Sequence, residues 1–293
     1  MTSTISDLIN EMQQFGLLIK YSNINTNGKI QRVATQTKPK SKNGWYVIHV
    51  TNSGIIAIFG DHQKNCKPIK WSNFSKISPT EYTALKNKIT QTNSQCIYEK
   101  EILLEKIKHF YSKKVRPMTL LHKYLEQKNL VELNFNSLID PLGVTNDNKL
   151  VVPIRNISNE LMGLQTIDVS GKKLMLKGSQ KKGNFYTISY KDTYLKNAEI
   201  VFIGEGFATM ASIYIAAYKI SNEIRICSIV AIDVYNIESV LNSIIQQKLN
   251  PRIILVADND CANEINIGVQ TCTHIFNKYK SLINLDIYIP KIL

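Results

Sequence analysis

A chain of 293 residues, 44% hydrophobic and 20% charged, has the composition of an ordinary globular protein and enough length to bury a core in more than one packed unit. No run approaches the roughly 20 apolar residues that a membrane-spanning helix needs, and the N-terminal MTSTISDLINEMQQF lacks the basic leader and apolar block of a signal peptide, so a cytoplasmic protein without membrane partners is expected. The formal charge of +13 is unevenly placed: residues 1–195 carry 28 Lys+Arg against 14 Asp+Glu, whereas residues 196–293 carry 8 against 9. Charge alone leaves two readings open, a solvated Lys- and Asn-rich surface, or a basic part that attracts phosphate joined to a neutral part with acidic chemistry.

In chain order, residues 1–78 begin with an amphipathic stretch that predicts a helix over 5–18. The runs Trp45-Tyr46-Val47-Ile48-His49-Val50 and Ile55-Ile56-Ala57-Ile58-Phe59 follow, broken by Gly44, Gly54 and Gly60, the pattern of a small β-rich module. Residues 79–118 form a connector. From 79 to 114 the chain is polar, basic and free of glycine, with Tyr82, Leu85, Ile89, Ile102, Leu103, Ile107 and Phe110 at helical spacing. One long helix or a helix pair is expected there, closed by Pro117. Residues 119–196 read as a mixed α+β lobe, with a short helix at 120–128 and strands at 150–154, 161–168, 173–176 and near 186–188, turned at Gly171, Gly178 and Gly183. In residues 197–293, apolar runs at 200–203, 226–232, 253–257 and 285–289 alternate with helices at 207–218, 237–248 and 268–279. That alternation predicts an α/β domain with a buried, mainly parallel, Rossmann-like sheet.

Two of the buried runs end in acid. Val201-Phe202-Ile203-Gly204 leads into Glu205-Gly206, and Ile253-Ile254-Leu255-Val256-Ala257 leads into Asp258-Asn259-Asp260. In open parallel sheets the working crevice lies beyond the carboxyl ends of the strands, so acids far apart in sequence can meet there. Asp258 and Asp260, two apart, project the same way from extended backbone. Three converging carboxylates repel one another unless cations neutralise them, and such hard oxygen ligands suit Mg²⁺ or Mn²⁺. One acid after one apolar strand is commonplace, often a helix cap; two such sites on the right strand ends favour a shared function. The chain lacks the G-x-x-x-x-G-K-[ST] of a P-loop. An Asp-x-Asp phosphatase needs a long downstream chain, and 33 residues follow Asp260.

The combination of Gly204-Glu205-Gly206 with Asp258-x-Asp260 in this β/α order resembles the TOPRIM domain of bacterial primases, topoisomerases and some nucleases. Longer stretches are similar to the primases of conjugative plasmids and phages. Glu205-Gly206-Phe207-Ala208-Thr209 resembles their E-G-[FY]-A-T, Ala231-Ile232-Asp233 with Asn236 their A-F-D-A-G-N, and Asp258-Asn259-Asp260 with Asn266-x-Gly268 their D-[DN]-D and N-x-G. Upstream, His122-x-Tyr124-Leu125-x-x-Lys128, Leu150-Val151-Val152-Pro153-Ile154-Arg155, Leu164-Gln165 and Gly171-Lys172-Lys173-x-x-Leu176-Lys177-Gly178 match segments that precede TOPRIM in those proteins, and Gly44-Trp45-Tyr46-Val47 and Phe59-Gly60-Asp61 resemble their leading module.

The resemblance implies template-directed synthesis of short RNA primers on single-stranded DNA from nucleoside triphosphates, alongside a replicative helicase. Glu205, Asp258 and Asp260 would be the catalytic and metal-binding acids, with Asp233 a further candidate that serves equally well as a turn or helix cap. Arg155, Lys173, Lys177, Lys181 and Lys182, on or beside glycine turns, would face the acids and hold template or triphosphate. The five cysteines are scattered and contain no C-x-x-C pair, which argues against a disulfide framework and a zinc ribbon; Cys66 with His62 and His49 is too sparse a set, and no zinc is expected. Many relatives also continue into an acidic D-x-N-D segment, whereas Pro290 is followed here by Lys291-Ile292-Leu293. A minimal primase, a subunit completed by a partner, a non-catalytic DNA-binding replication accessory and a TOPRIM nuclease are the readings this pattern allows.

Overall fold

Thr4 and Asp7 form a capping box that starts helix α1 (Ile5–Phe15). Gly16 ends it in the left-handed region at φ 105°, its N–H returning to the carbonyls of Gln13 and Met12. The expected helix through residue 18 therefore stops early, and the next two residues leave as strand β1 (Leu17–Leu18). The computed structural model describes residues 4–51, 53–62, 67–74, 78–190, 192–259 and 266–290. The chain divides into two units, Met1–Lys100 and Glu101–Leu293.

In the first unit β1 joins β2 (Gln31–Thr35), β3 (Gly44–Thr51), β4 (Gly54–Asp61) and β5 (Ile69–Ser72) in an antiparallel sheet of order β1-β2-β3-β4-β5. Because side chains alternate along a strand, Tyr46 and Ile48 of β3 and Ala57 and Phe59 of β4 share one face. They are buried there with Leu8 and Met12 of α1. The run 79–114 is a single helix, α2 (Pro79–Lys114), of 36 residues.

The second unit continues from α2 into β6 (Val115–Pro117), α3 (Lys123–Gln127), β7 (Gly143–Thr145), β8 (Leu150–Arg155), β9 (Leu161–Ile167) and β10 (Lys173–Met175). These strands form an antiparallel sheet of order β10-β9-β8-β7-β6. His122 caps the short helix: its Nδ1 accepts from the Tyr124 N–H at 3.2 Å, and Nε2 lies 3.0 Å from the Asn148 carbonyl, the arrangement of a neutral ring with its proton on Nε2. One face of this sheet, Val151 and Leu164, packs with Ile107, Phe110 and Tyr111 of α2. The other face, Leu150, Val152 and Ile167, shares a core with Tyr124 and Leu125.

The remaining elements are β11 (Tyr186–Ile188), β12 (Ile200–Gly204), α4 (Phe207–Ile220), β13 (Ile226–Val230), α5 (Ile237–Ile245), β14 (Arg252–Val256), α6 (Ile267–Tyr279) and β15 (Leu285–Tyr288). The strands order as β11-β13-β12-β14-β15. The pairs β13·β12, β12·β14 and β14·β15 are parallel, and β11 lies antiparallel on β13. This is the α/β arrangement expected of buried apolar runs: all five residues of β13 are buried. Phe207, Met210, Ala211 and Tyr214 of α4 belong to the core shared with the antiparallel sheet. Helices α5 and α6 pack with Val201, Ile203, Ile229 and Leu255 in a separate core. The sheet is thus covered on both sides, as parallel strands require.

Asn236, 3% exposed, holds the 180–184 turn to the end of β13. Its Oδ1 accepts from the Gly183 N–H at 2.8 Å, and its Nδ2 donates to the carbonyls of Asn184 (3.0 Å) and Ala231 (2.9 Å). Asn236→Ala leaves three backbone groups without their partner, at roughly 1–3 kcal/mol for each one that water cannot reach. Denaturant titration of this variant should show a loss of about 2–4 kcal/mol; a loss below ~0.5 kcal/mol would mean the clamp is dispensable.

Candidate functional site

Strand β12 lies between β13 and β14, so the connection through α4 leads to one side and the connection through α5 crosses to the other. That reversal makes a topological switch point between β12 and β14, where open parallel sheets bind ligands. The two strands are in register, Gly204 opposite Val256. Glu205 therefore leaves the sheet beside Ala257, and Asp258 beside Gly206. The Glu205 carbonyl accepts from the Ile232 N–H at 3.0 Å, and the Ala257 N–H donates to the Tyr288 carbonyl at 3.0 Å, which fixes both strand ends.

Gly206 is the N-cap of α4 and supplies no side chain to the free N–H groups of the first turn. A methyl placed on Gly206 would lie 3.7 Å from Asp258 Oδ2, 3.7 Å from Thr209 Oγ1 and 3.8 Å from Lys173 Nζ. The Asp258 carboxylate and the Lys173 ammonium are thus both gathered over the Gly206 backbone. Cys272, on α6 behind this point, reports the acids electrostatically: burial first, then the Asp258 and Glu205 carboxylates, push its thiol up to about 12. Gly268, at the start of α6, has a packing role, since a Cβ there would come within 2.3 Å of the Asp258 carbonyl oxygen. Asn266 caps α6 through the Val269 N–H (3.2 Å) and donates to Asn259 Oδ1 (2.7 Å). Asp260 lies outside the described residues.

Beside this cluster opens a cleft of about 390 Å³. Its walls are Tyr124, Gln127 and Lys128 around α3, Ser170, Gly171 and Lys173 at the β9–β10 turn, and Ala208 and Thr209 of the first turn of α4. Lysines, a hydroxyl and a helix N-terminus suit a phosphate-bearing ligand. Lys128 and Thr209 were not singled out from the sequence as site residues, although both sit inside stretches that resemble the primases; only the folded chain brings them beside Lys173.

The other expected site residues are placed as follows. Asp233 accepts from the Tyr235 N–H at 2.9 Å as the cap of a 3₁₀ turn and pairs with Lys181 at 2.6 Å, so it brings a basic side chain of the 180–184 turn to the same sheet edge. Arg155 is engaged elsewhere: its Nε donates to Asp140 at 2.8 Å and its Nη1 to the Asn159 carbonyl at 3.3 Å. Burial pushes the Asp140 carboxyl up, against the opposing pull of the Arg155 guanidinium. Lys177 and Lys182 are exposed, and neither lines the cleft. Among the described residues no group of three His, Cys, Asp or Glu side chains is gathered as a metal site; Glu205 and Asp258 are a pair. No described helix is long and apolar enough to cross a membrane.

No protein-family model matches the chain. Among solved structures it is similar to a chain in an assembly of bacteriophage T7 lagging-strand DNA polymerase with the primase domains of two gp4 subunits, bound to an RNA/DNA hybrid and dTTP. The identity is 8% and the TM-score 0.35, over 62% of this chain and 83% of that one.

Between Glu205 and Asp233 the backbone carries strain. Ile232, a β-branched residue, has φ 71°, a left-handed conformation that costs L-residues roughly 1–2 kcal/mol. Such strain persists where the surroundings over-determine it, commonly at functional sites. Ile232→Gly removes the strain while losing a partly buried side chain, and the two effects offset. Thermal unfolding should place this variant within about 1 kcal/mol of the parent; a loss above ~3 kcal/mol, as for an ordinary core truncation, would contradict the strained assignment.

Proposed function

We propose that the chain is a TOPRIM-type primase that makes short RNA primers on single-stranded DNA by metal-dependent nucleotidyl transfer. The observation that carries this reading is the pairing of Glu205 and Asp258 at the ends of adjacent in-register parallel strands, at the switch point of the sheet, with Lys173 gathered over the same glycine. The motifs quoted from the sequence select primer synthesis from among the reactions such a site can support.

Two carboxylates suit Mg²⁺ or Mn²⁺, since Mg²⁺ is usually held by one or two carboxylates and leaves its other positions to water and substrate phosphates. Glu205 and Asp258, together with Asp260, would be the protein ligands. A bound divalent ion would supply charge neutralisation at the attacking and leaving oxygens of the phosphoryl transfer. The chain's own groups would bind and orient. Lys173 and Lys128 would attract the phosphates, the first N–H groups of α4 would donate to their oxygens, and the Thr209 hydroxyl would fix their direction. Lys173 also lowers the repulsion among the acids before any substrate arrives. Lys181, positioned by Asp233, and the exposed Lys177 and Lys182 would contact the backbone of the template.

Primer synthesis from labelled ribonucleotides on single-stranded DNA, with either metal, tests the proposal. Asp258→Ala should abolish synthesis and leave DNA affinity unchanged or slightly raised, because a repelling charge is gone. Lys173→Ala and Lys177→Ala should weaken substrate or template binding. DNA binding should fall with salt by roughly 0.7 log units per log unit of salt for each phosphate neutralised. No product with either metal, even with the replicative helicase supplied, would favour a non-catalytic accessory, and cleavage of the template a nuclease. Full synthesis by Asp258→Ala would remove the site.

A further inference from the structure

The first unit presents one sheet face away from α1. Its sheet is covered by α1 on the Tyr46–Phe59 face, and strand register assigns the opposite face. Arg32, Trp45 and Gly60 stand in one row across β2, β3 and β4; Val47, Ile58 and Lys70 form the next; His49, Ile56 and Ser72 form the third. None of these nine positions is acidic. The His49 end is occupied: Gly28 abuts the His49 ring, and Lys88 of α2 reaches the Val50 carbonyl at 3.5 Å. Among the described residues, no contact of this kind covers the Trp45 end. Trp45, Val47 and Ile58 are partly exposed, and Arg32 and Lys70 are exposed.

The indole of Trp45 lies flat on its neighbour. A Cβ on Gly60 would be 3.2 Å from each of three indole atoms, Cε2, Cζ2 and Nε1, so the ring rests on the glycine backbone, and Trp45 stays partly exposed. The His62 ring stands beside it, 6.1 Å between centroids, close enough to Arg32 for the guanidinium, after burial, to hold the imidazole below its usual range. The β2–β3 loop, with exposed Lys38, Lys40 and Lys42, returns past this corner, where the His62 N–H donates to the Asn43 carbonyl at 3.2 Å. Residues 1–100 as a whole hold 13 Lys+Arg against 5 Asp+Glu. A partly exposed tryptophan on a sheet face that also carries exposed Arg32 and Lys70, with the Asp61 carboxylate the acid acting on His62, matches how single strands are bound: phosphates by charge, bases by stacking.

We infer that the Trp45 corner of the first sheet, with Arg32, His62, Lys70 and the lysines of the β2–β3 loop, is a binding site for single-stranded DNA that stacks a base on Trp45. It does not rest on the chemistry assigned to Glu205 and Asp258.

The full-length chain with Trp71→Phe keeps Trp45 as its one tryptophan, since the sequence has two. Titration with a short oligothymidylate at low salt should quench its emission, and Asp258→Ala should leave that quenching intact, which separates this site from the acidic one. Trp45→Ala should weaken oligothymidylate binding, followed by anisotropy, about fivefold or more. Arg32→Glu with Lys70→Glu, on exposed side chains, should weaken it further and flatten its salt dependence; this double variant carries the test if Trp45→Ala does not fold by circular dichroism. Binding without any change in Trp45 emission would overturn the inference, as would equal quenching by a duplex of the same length, whose bases have no free faces. Absence of binding at low salt would overturn it as well.

Discussion

The parallel pairing of β12 with strands on both of its sides is the constraint on which the second unit depends. A central first strand forces the chain to cross over itself after β13, which puts α4 on one face and α5 with α6 on the other. The ends of β12 and β14 are left side by side with no connection spanning the gap between them. Glu205 and Asp258 occupy that gap because Gly204 and Val256 are in register. A shift of one residue would turn Asp258 toward the opposite face, so hydrogen bonding deep in the sheet sets the geometry of the acids.

Several residues that look like chemistry in the sequence serve as scaffold. Asn236 ties a basic turn to the sheet edge, Asn266 caps α6, and Gly268 admits the Asp258 backbone. The pair Lys181–Asp233 is partly exposed, with 41% and 32% of the side chains accessible, so its ion pair adds little stability and mainly sets direction. Positioning by amides such as the buried Asn236 and presentation by exposed charges are separate tasks in this site.

Much of the architecture was legible in the residue pattern. The apolar runs of β12, β13 and β14 and the glycine-free length of α2 mark those elements plainly, because burial on both faces and helical spacing leave distinct periods. Glu205 and Asp258 were readable as strand-end acids for the same reason. The helix expected through residue 18 stops at Gly16 because a left-handed cap outweighs two leucines. What local pattern could not carry was long-range: Tyr186–Ile188 pairing with β13, Lys128 and Thr209 meeting across a cleft, and Arg155 held by Asp140, a partner 15 residues away. The strain at Ile232 has no sequence signal, since isoleucine is a residue that disfavours that conformation.

The three-residue strand β11 has a consequence for dividing this chain. It closes one margin of the parallel sheet, and its Tyr186 is fully buried, with the hydroxyl donating to the Asp140 carbonyl at 2.7 Å. A fragment begun after it would bare the backbone of β13, a strand of five apolar or small residues, as an unpaired edge, together with the face of α4 that carries Phe207 and Tyr214. Exposed edges of that kind recruit strands from other molecules. The antiparallel lobe is therefore a cover of the parallel sheet as well as the other wall of its cleft.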